Sequence, residues 1–211
     1  MGLFYQHNIN ANTHLGIWRI EEPESFFLEK VPVKKDVSHP YKRLQHLAGR
    51  FLLPVLFEDF PLAEILIADT KKPFLPDEHY HFSISHCGNY AAAVASSQNR
   101  VGIDIEFVTP RIKLISKKFM NEAEKNFMSD WEPLPQVHLQ LMTLLWSSKE
   151  AIFKWFGNGQ VDFRQHIQLQ AAPLISAGEW TVLDFLFKKT NVELRVHAKI
   201  FDNLSLAYVV S

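Results

Sequence analysis

Asp104 and Glu106 stand two residues apart in the stretch Val101-Gly102-Ile103-Asp104-Ile105-Glu106, where Val101, Ile103 and Ile105 alternate with them. On an extended strand both carboxylates leave the same face, about 7 Å apart along the backbone. Two such anions repel unless something positive lies between them. A hard divalent cation with oxygen ligands answers this, and Mg²⁺ characteristically takes one or two carboxylates together with water and phosphate oxygens. A solvated strand face has the same pattern. Glu150 and Lys154 lie four apart, on one face of a helix. Leu144, Leu145, Trp146, Ile152, Phe153 and Phe156 surround them, so that helix is expected to be largely buried and the two charges to need partners. The alternative is a surface ion pair, against which that apolar setting argues. Ser85-His86 ends a strand just before Gly88, where a histidine serves either as a structural hydrogen-bonder or as a phosphate contact. Lys72, in Lys71-Lys72-Pro73, and Lys34-Lys35 read individually as solvated basic residues, as do Arg43 and Arg50, which share one helical face.

The elements that must carry these groups follow from periodicity. Apolar residues at Leu44, Leu47, Phe51 and Val55 predict a helix over Pro40–Phe57, with the proline suited to its first turn. Strands are expected at His14–Ile20 and Leu62–Ala68, with the first dozen residues as an extension ahead of the first strand. Phe82–Ser85 and Tyr90–Ala95 read as a hairpin joined by Cys87-Gly88-Asn89. Asn121, with Glu124 three positions later, marks the start of a short helix to about Met128. The strongest helix spans about Val137–Phe156 and stops at Gly157-Asn158-Gly159. Four further strands are expected at Val161–Gln170, Trp180–Phe187, Val192–Phe201 and Leu204–Val210. The order, strands–helix–strands twice over, predicts an α+β chain of two similar halves, 1–100 and 101–211, each an antiparallel sheet packed with a long helix.

The 211 residues carry 22 Lys+Arg against 23 Asp+Glu, a net charge of −1. Residues 1–100 hold 10 basic and 11 acidic side chains and residues 101–211 hold 12 of each. This balance offers neither the basic surface of a nucleic-acid binder nor the basic tail of a membrane-surface protein. Cys87 is the only cysteine, so an intrachain disulfide and a cysteine-rich zinc site are both excluded. No apolar run approaches the roughly 20 residues needed to span a bilayer. No signal peptide is evident, and a cytoplasmic location is expected.

Taken together, three segments resemble the motifs of the 4′-phosphopantetheinyl transferase family, in its longer Sfp-like branch. Phe82-Ser83-Ile84-Ser85-His86-Cys87-Gly88 is similar to F-N-I-S-H-S-G, with Cys87 where Ser or Thr is usual. Gly102-Ile103-Asp104-Ile105-Glu106 matches G-I-D-I-E, and Trp146-Ser147-Ser148-Lys149-Glu150-Ala151-Ile152-Phe153-Lys154 matches W-x-x-K-E-A-x-x-K. Leu47-Ala48-Gly49-Arg50 and Lys72-Pro73 resemble the family's L-A-G-R and K-P. The resemblance covers residues 40 to 170, and the last forty residues agree in strand pattern alone. It implies two halves about a pseudo-two-fold axis with coenzyme A in the cleft, in a monomer whose one chain completes that cleft. It further implies Mg²⁺ on Asp104, Glu106 and Glu150, with Glu150 or Glu106 as base, and Lys154 on the pyrophosphate. Ser85, His86 and Lys72 would hold phosphates of coenzyme A, helped by Arg43 or a lysine near Lys34-Lys35; His46 has no assigned role. The implied reaction is attack by the serine of an apo acyl or peptidyl carrier protein on coenzyme A, releasing 3′,5′-ADP. A different Mg²⁺-dependent phosphotransferase or nuclease, and a carrier-binding module without catalysis, are the rival readings; neither nucleic acid nor membrane is expected as a partner.

Overall fold

In the computed structural model, residues 2–32, 38–173 and 178–211 are described; Lys34 and Lys35 lie outside them. Strand β1 (Leu3–Asn10) turns through Ala11-Asn12 into β2 (Thr13–Arg19), and the two pair antiparallel. The Asn10 Oδ1 accepts the Asn12 N–H at 2.9 Å and closes the turn. The first dozen residues are therefore a sheet strand and its turn, not an extension. Gln6, His7 and Asn8 masked the alternation, because only one face of β1 is even half-buried.

A short helix, α1 (Glu24–Leu28), precedes α2 (Pro40–Leu56), which begins at its proline as expected. Leu62–Ala68 is not one strand: a 3₁₀ turn at Leu62–Glu64 follows Pro61, and only β3 (Leu66–Ile67) is extended, pairing with β4 (Pro73–Phe74). The hairpin of β5 (His81–Cys87) and β6 (Tyr90–Ser96) completes a sheet in the order β1-β2-β6-β5. Ala91, Ala92, Ala93, Val94 and Ala95 of β6 are wholly buried, and α2 packs on this small-residue strand. Gly49 makes the close approach possible. A Cβ there would stand 2.5 Å from Ile84 Cγ2 on β5.

The chain divides into two compact units, 1–103 and 104–211, the boundary falling inside β7 (Val101–Phe107). Beyond β7 come α3 (Ile112–Phe119), α4 (Glu122–Ser129), α5 (Pro135–Phe156), α6 (Phe163–His166) and the strands β8 (Ile167–Leu169), β9 (Thr181–Phe187), β10 (Val192–Phe201) and β11 (Leu204–Val210). The sheet order is β7-β11-β10-β9-β8. Helix α5 lies along β11 and β10, burying Leu141, Leu144, Leu145, Ala151 and Ile152 against Leu183, Phe185, Val196 and Val209. Gly157, with φ at 74°, ends α5 in the left-handed conformation that glycine tolerates best. The Asn121 capping box is present at α4 as predicted. The strand expected at Val161–Gln170 is a correction. Asp162 accepts the Arg164 and Gln165 N–H groups at 2.9 and 3.0 Å, winding α6 before β8 begins at Ile167. The chain is thus α+β with antiparallel sheets.

Candidate active site

Asp104 lies on β7 with only 3% of its surface exposed. The Lys154 ammonium, from the last turn of α5, donates to its Oδ1 at 2.7 Å while a quarter of the lysine side chain stays open to solvent. Glu150 sits one turn earlier on α5. Burial first, then the neighbouring Asp104 and Glu106 carboxylates, raise its carboxyl to about 7 against the opposing pull of Lys154. Four of the residues singled out in the sequence therefore share one electrostatic neighbourhood. It holds three carboxylates and one ammonium, so negative charge is in excess. A solvated strand face does not describe Asp104.

The donor chemistry fits a hard divalent cation: carboxylate oxygens on rigid elements, with repulsion that a second positive charge would relieve. No three His, Cys, Asp or Glu side chains among the described residues stand gathered as a finished ligand set. Lys154 supplies the positive charge at Asp104 instead.

Motif residue Lys149 turns away from this face. It is wholly buried, and its ammonium donates to Phe119 O at 2.7 Å, Glu124 Oε2 at 2.8 Å and Phe163 O at 2.9 Å. Glu124, the capping-box acid of α4, also accepts the N–H groups of Asn121 at 2.9 Å and Leu169 at 3.0 Å. The capping signal was visible in the sequence; the lysine that shares the acid was not.

In the first unit, Ser85 is buried on β5 and His86, next along the strand, is exposed. The His46 ring of α2 meets the His86 ring edge-on, 5.5 Å between centroids, which gives His46 a location beside His86. Gln45 ties α2 to the following turn by donating to Gly88 O at 2.8 Å. Lys72 is pushed down to about 8, first by burial and then by the Arg100 guanidinium; His81 is lowered by burial, with both cations contributing in the same direction. A small basic group thus surrounds Lys72. Arg43 stands apart from it, forked onto Glu24 at 2.7 and 3.1 Å.

Residues 100–209, from the strand carrying Asp104 to the last strand, match the 4′-phosphopantetheinyl transferase superfamily. The chain belongs to that superfamily. It is 32% identical over 139 residues to the 4′-phosphopantetheinyl transferase AcpT of Escherichia coli, a match covering 62% of this chain and 69% of that protein. A putative 4′-phosphopantetheinyl transferase of Haemophilus influenzae is 30% identical over 169 residues, covering 71% and 70%. Enterobactin synthase component D of Salmonella typhimurium is 32% identical over 123 residues, covering 56% of this chain and 49% of that protein. The protein is a phosphopantetheinyl transferase, moving the phosphopantetheine group of coenzyme A to a carrier protein.

Proposed function

We propose that the transfer depends on Mg²⁺ held by Asp104, Glu106 and Glu150. What supports this reading is the buried Asp104 carboxylate on β7, 2.7 Å from the ammonium of Lys154 on α5, with Glu150 one turn earlier on that helix raised to about 7 by burial and by Asp104 and Glu106. Bound there, Mg²⁺ would supply Lewis-acid stabilisation of the pyrophosphate charge.

The rest of the chemistry falls to this chain's own groups and the substrates. The carrier serine oxygen forms a bond to the pantetheine-side phosphorus of coenzyme A. The bond from that phosphorus to the bridging oxygen breaks, and the electron pair leaves with 3′,5′-ADP. The serine proton passes to a carboxylate of the acidic set, Glu150 or Glu106; the Glu150 carboxyl is raised to about 7 by burial and by its acidic neighbours. Lys154, partly exposed beside Asp104, offsets the charge of the leaving phosphate. Ser85, His86 and Lys72 contact the phosphates of coenzyme A. Arg43 contributes less, because Glu24 already occupies its guanidinium fork. No covalent enzyme intermediate is needed, so Cys87 is not a nucleophile.

The two units are read as repeats of one half, in a cytoplasmic monomer acting on an acyl or peptidyl carrier. In support, each unit packs one long helix, α2 or α5, against its own sheet. The balanced charge favours a partner other than nucleic acid.

Incubation with coenzyme A, apo carrier protein and Mg²⁺ tests the reading by mass spectrometry of the carrier. The carrier gains one phosphopantetheine group with wild-type protein and none after chelation of the metal. Asp104→Ala and Glu150→Ala abolish the gain while circular dichroism stays native. Full transfer by either variant defeats the metal assignment.

A further inference from the structure

The Glu124–Lys149 pair lies outside the transfer chemistry described above, yet neither side chain has any exposed surface. Every proton of the Lys149 ammonium is used: one on the carbonyl ending α3, one on Glu124 and one on the Phe163 carbonyl of α6. Glu124 in turn receives the N–H groups of Asn121 at the start of α4 and Leu169 of β8. Four elements are thus bonded to a single side chain of α5 or to its partner. Around the pair, the ring of Trp146 meets those of Phe119 and Phe163 at 5.2 and 5.4 Å, and Phe153 meets Phe163 at 5.6 Å.

Consecutive helix residues point about 100° apart, so anchoring Lys149 fixes the direction of Glu150. Lys154, four residues beyond Glu150, shares that direction and reaches Asp104 at 2.7 Å. Turning α5 about its axis would strip a buried ammonium of its partners, which a low-dielectric interior strongly opposes. We propose that Glu124, acting through Lys149, is a positioning residue for the transfer: it locks the rotation of α5 that holds Glu150 and Lys154 toward Asp104. The inference rests on the reading of Glu150 and Lys154 as site groups.

The test compares wild type, Glu124→Gln, the double variant Glu124→Leu/Lys149→Met, and Val196→Ala. The last thins the same core at a wholly buried strand position. For each, kcat, KM for coenzyme A, the thermal midpoint and the rise of that midpoint on adding Mg²⁺ are measured, the kinetics well below every midpoint. Glu124→Gln is expected to lower kcat roughly tenfold or more through misplaced groups, and to shrink the Mg²⁺-induced rise, with KM for coenzyme A little changed. Val196→Ala loses midpoint but keeps kcat within about twofold and keeps the full Mg²⁺ response. The double variant strands no charge but takes partners from the Asn121 and Leu169 N–H groups and the Phe119 and Phe163 carbonyls, so it folds and recovers part of the midpoint, yet its kcat stays low. The inference is overturned if Glu124→Gln behaves as Val196→Ala does, or if the double variant regains kcat together with midpoint. An inactive wild type removes the underlying reading of the site and the inference with it; an active wild type with an unaffected Glu124→Gln sinks the inference alone.

Discussion

Glu150 shows how a group suited to chemistry weighs on the fold that carries it. In the unfolded chain its carboxyl ionises near the ordinary 4.5, and in the folded chain near 7. The folded state therefore holds the proton more tightly, and stability falls as pH rises across that interval. The penalty is absent below 4.5 and complete above 7. In metal-free protein, Glu150→Gln should accordingly raise the thermal midpoint at pH 8, by up to about 3 kcal/mol of stability. At pH 4.5 it should change little. A midpoint gain that persists undiminished at low pH contradicts the environment described for this carboxyl. The type and spacing of Asp104, Glu106, Glu150 and Lys154 were readable in the sequence because motif chemistry is local. The bond from Lys154 to Asp104 was not, since fifty residues separate the partners.

At the scale of elements, α2 and β5 meet where Gly49 faces Ile84. Alanine at position 49 adds a methyl into occupied space, at a cost of about 1–3 kcal/mol for overpacking. Its better helix propensity returns about 1 kcal/mol. Gly49→Ala should therefore lower the urea midpoint, and adding Ile84→Ala should reverse part of that overpacking; a Gly49→Ala protein more stable than wild type refutes the close approach. The glycine of L-A-G-R is thus accounted for by packing. Helices α2, α4 and α5 were legible because apolar spacing, Pro40, the Asn121 capping box and Gly157 are each written within a few residues. Strand β1 was not, because pairing with β2 and not alternation makes it a strand. At α6 the misreading came from Asp162, whose capping bonds outweigh the β-like composition that follows.

For the whole molecule, the proposed division of labour gives the first unit the phosphate contacts and the second the carboxylates. His86→Ala should then raise KM for coenzyme A about tenfold, the worth of one charge-assisted hydrogen bond, and leave the Mg²⁺ half-saturation unchanged. A shift in the metal dependence with an unchanged KM contradicts that division. The sequence by itself determined the superfamily, the acidic and basic residues that are candidates for the site, and the long helices, since all of these are patterns within short windows. Only the tertiary structure decided that Lys149 belongs to Glu124 while its neighbour Glu150 answers to Asp104 and Glu106. Two adjacent helix residues face different ways, and which partner each one meets depends on how the helix is turned against distant strands.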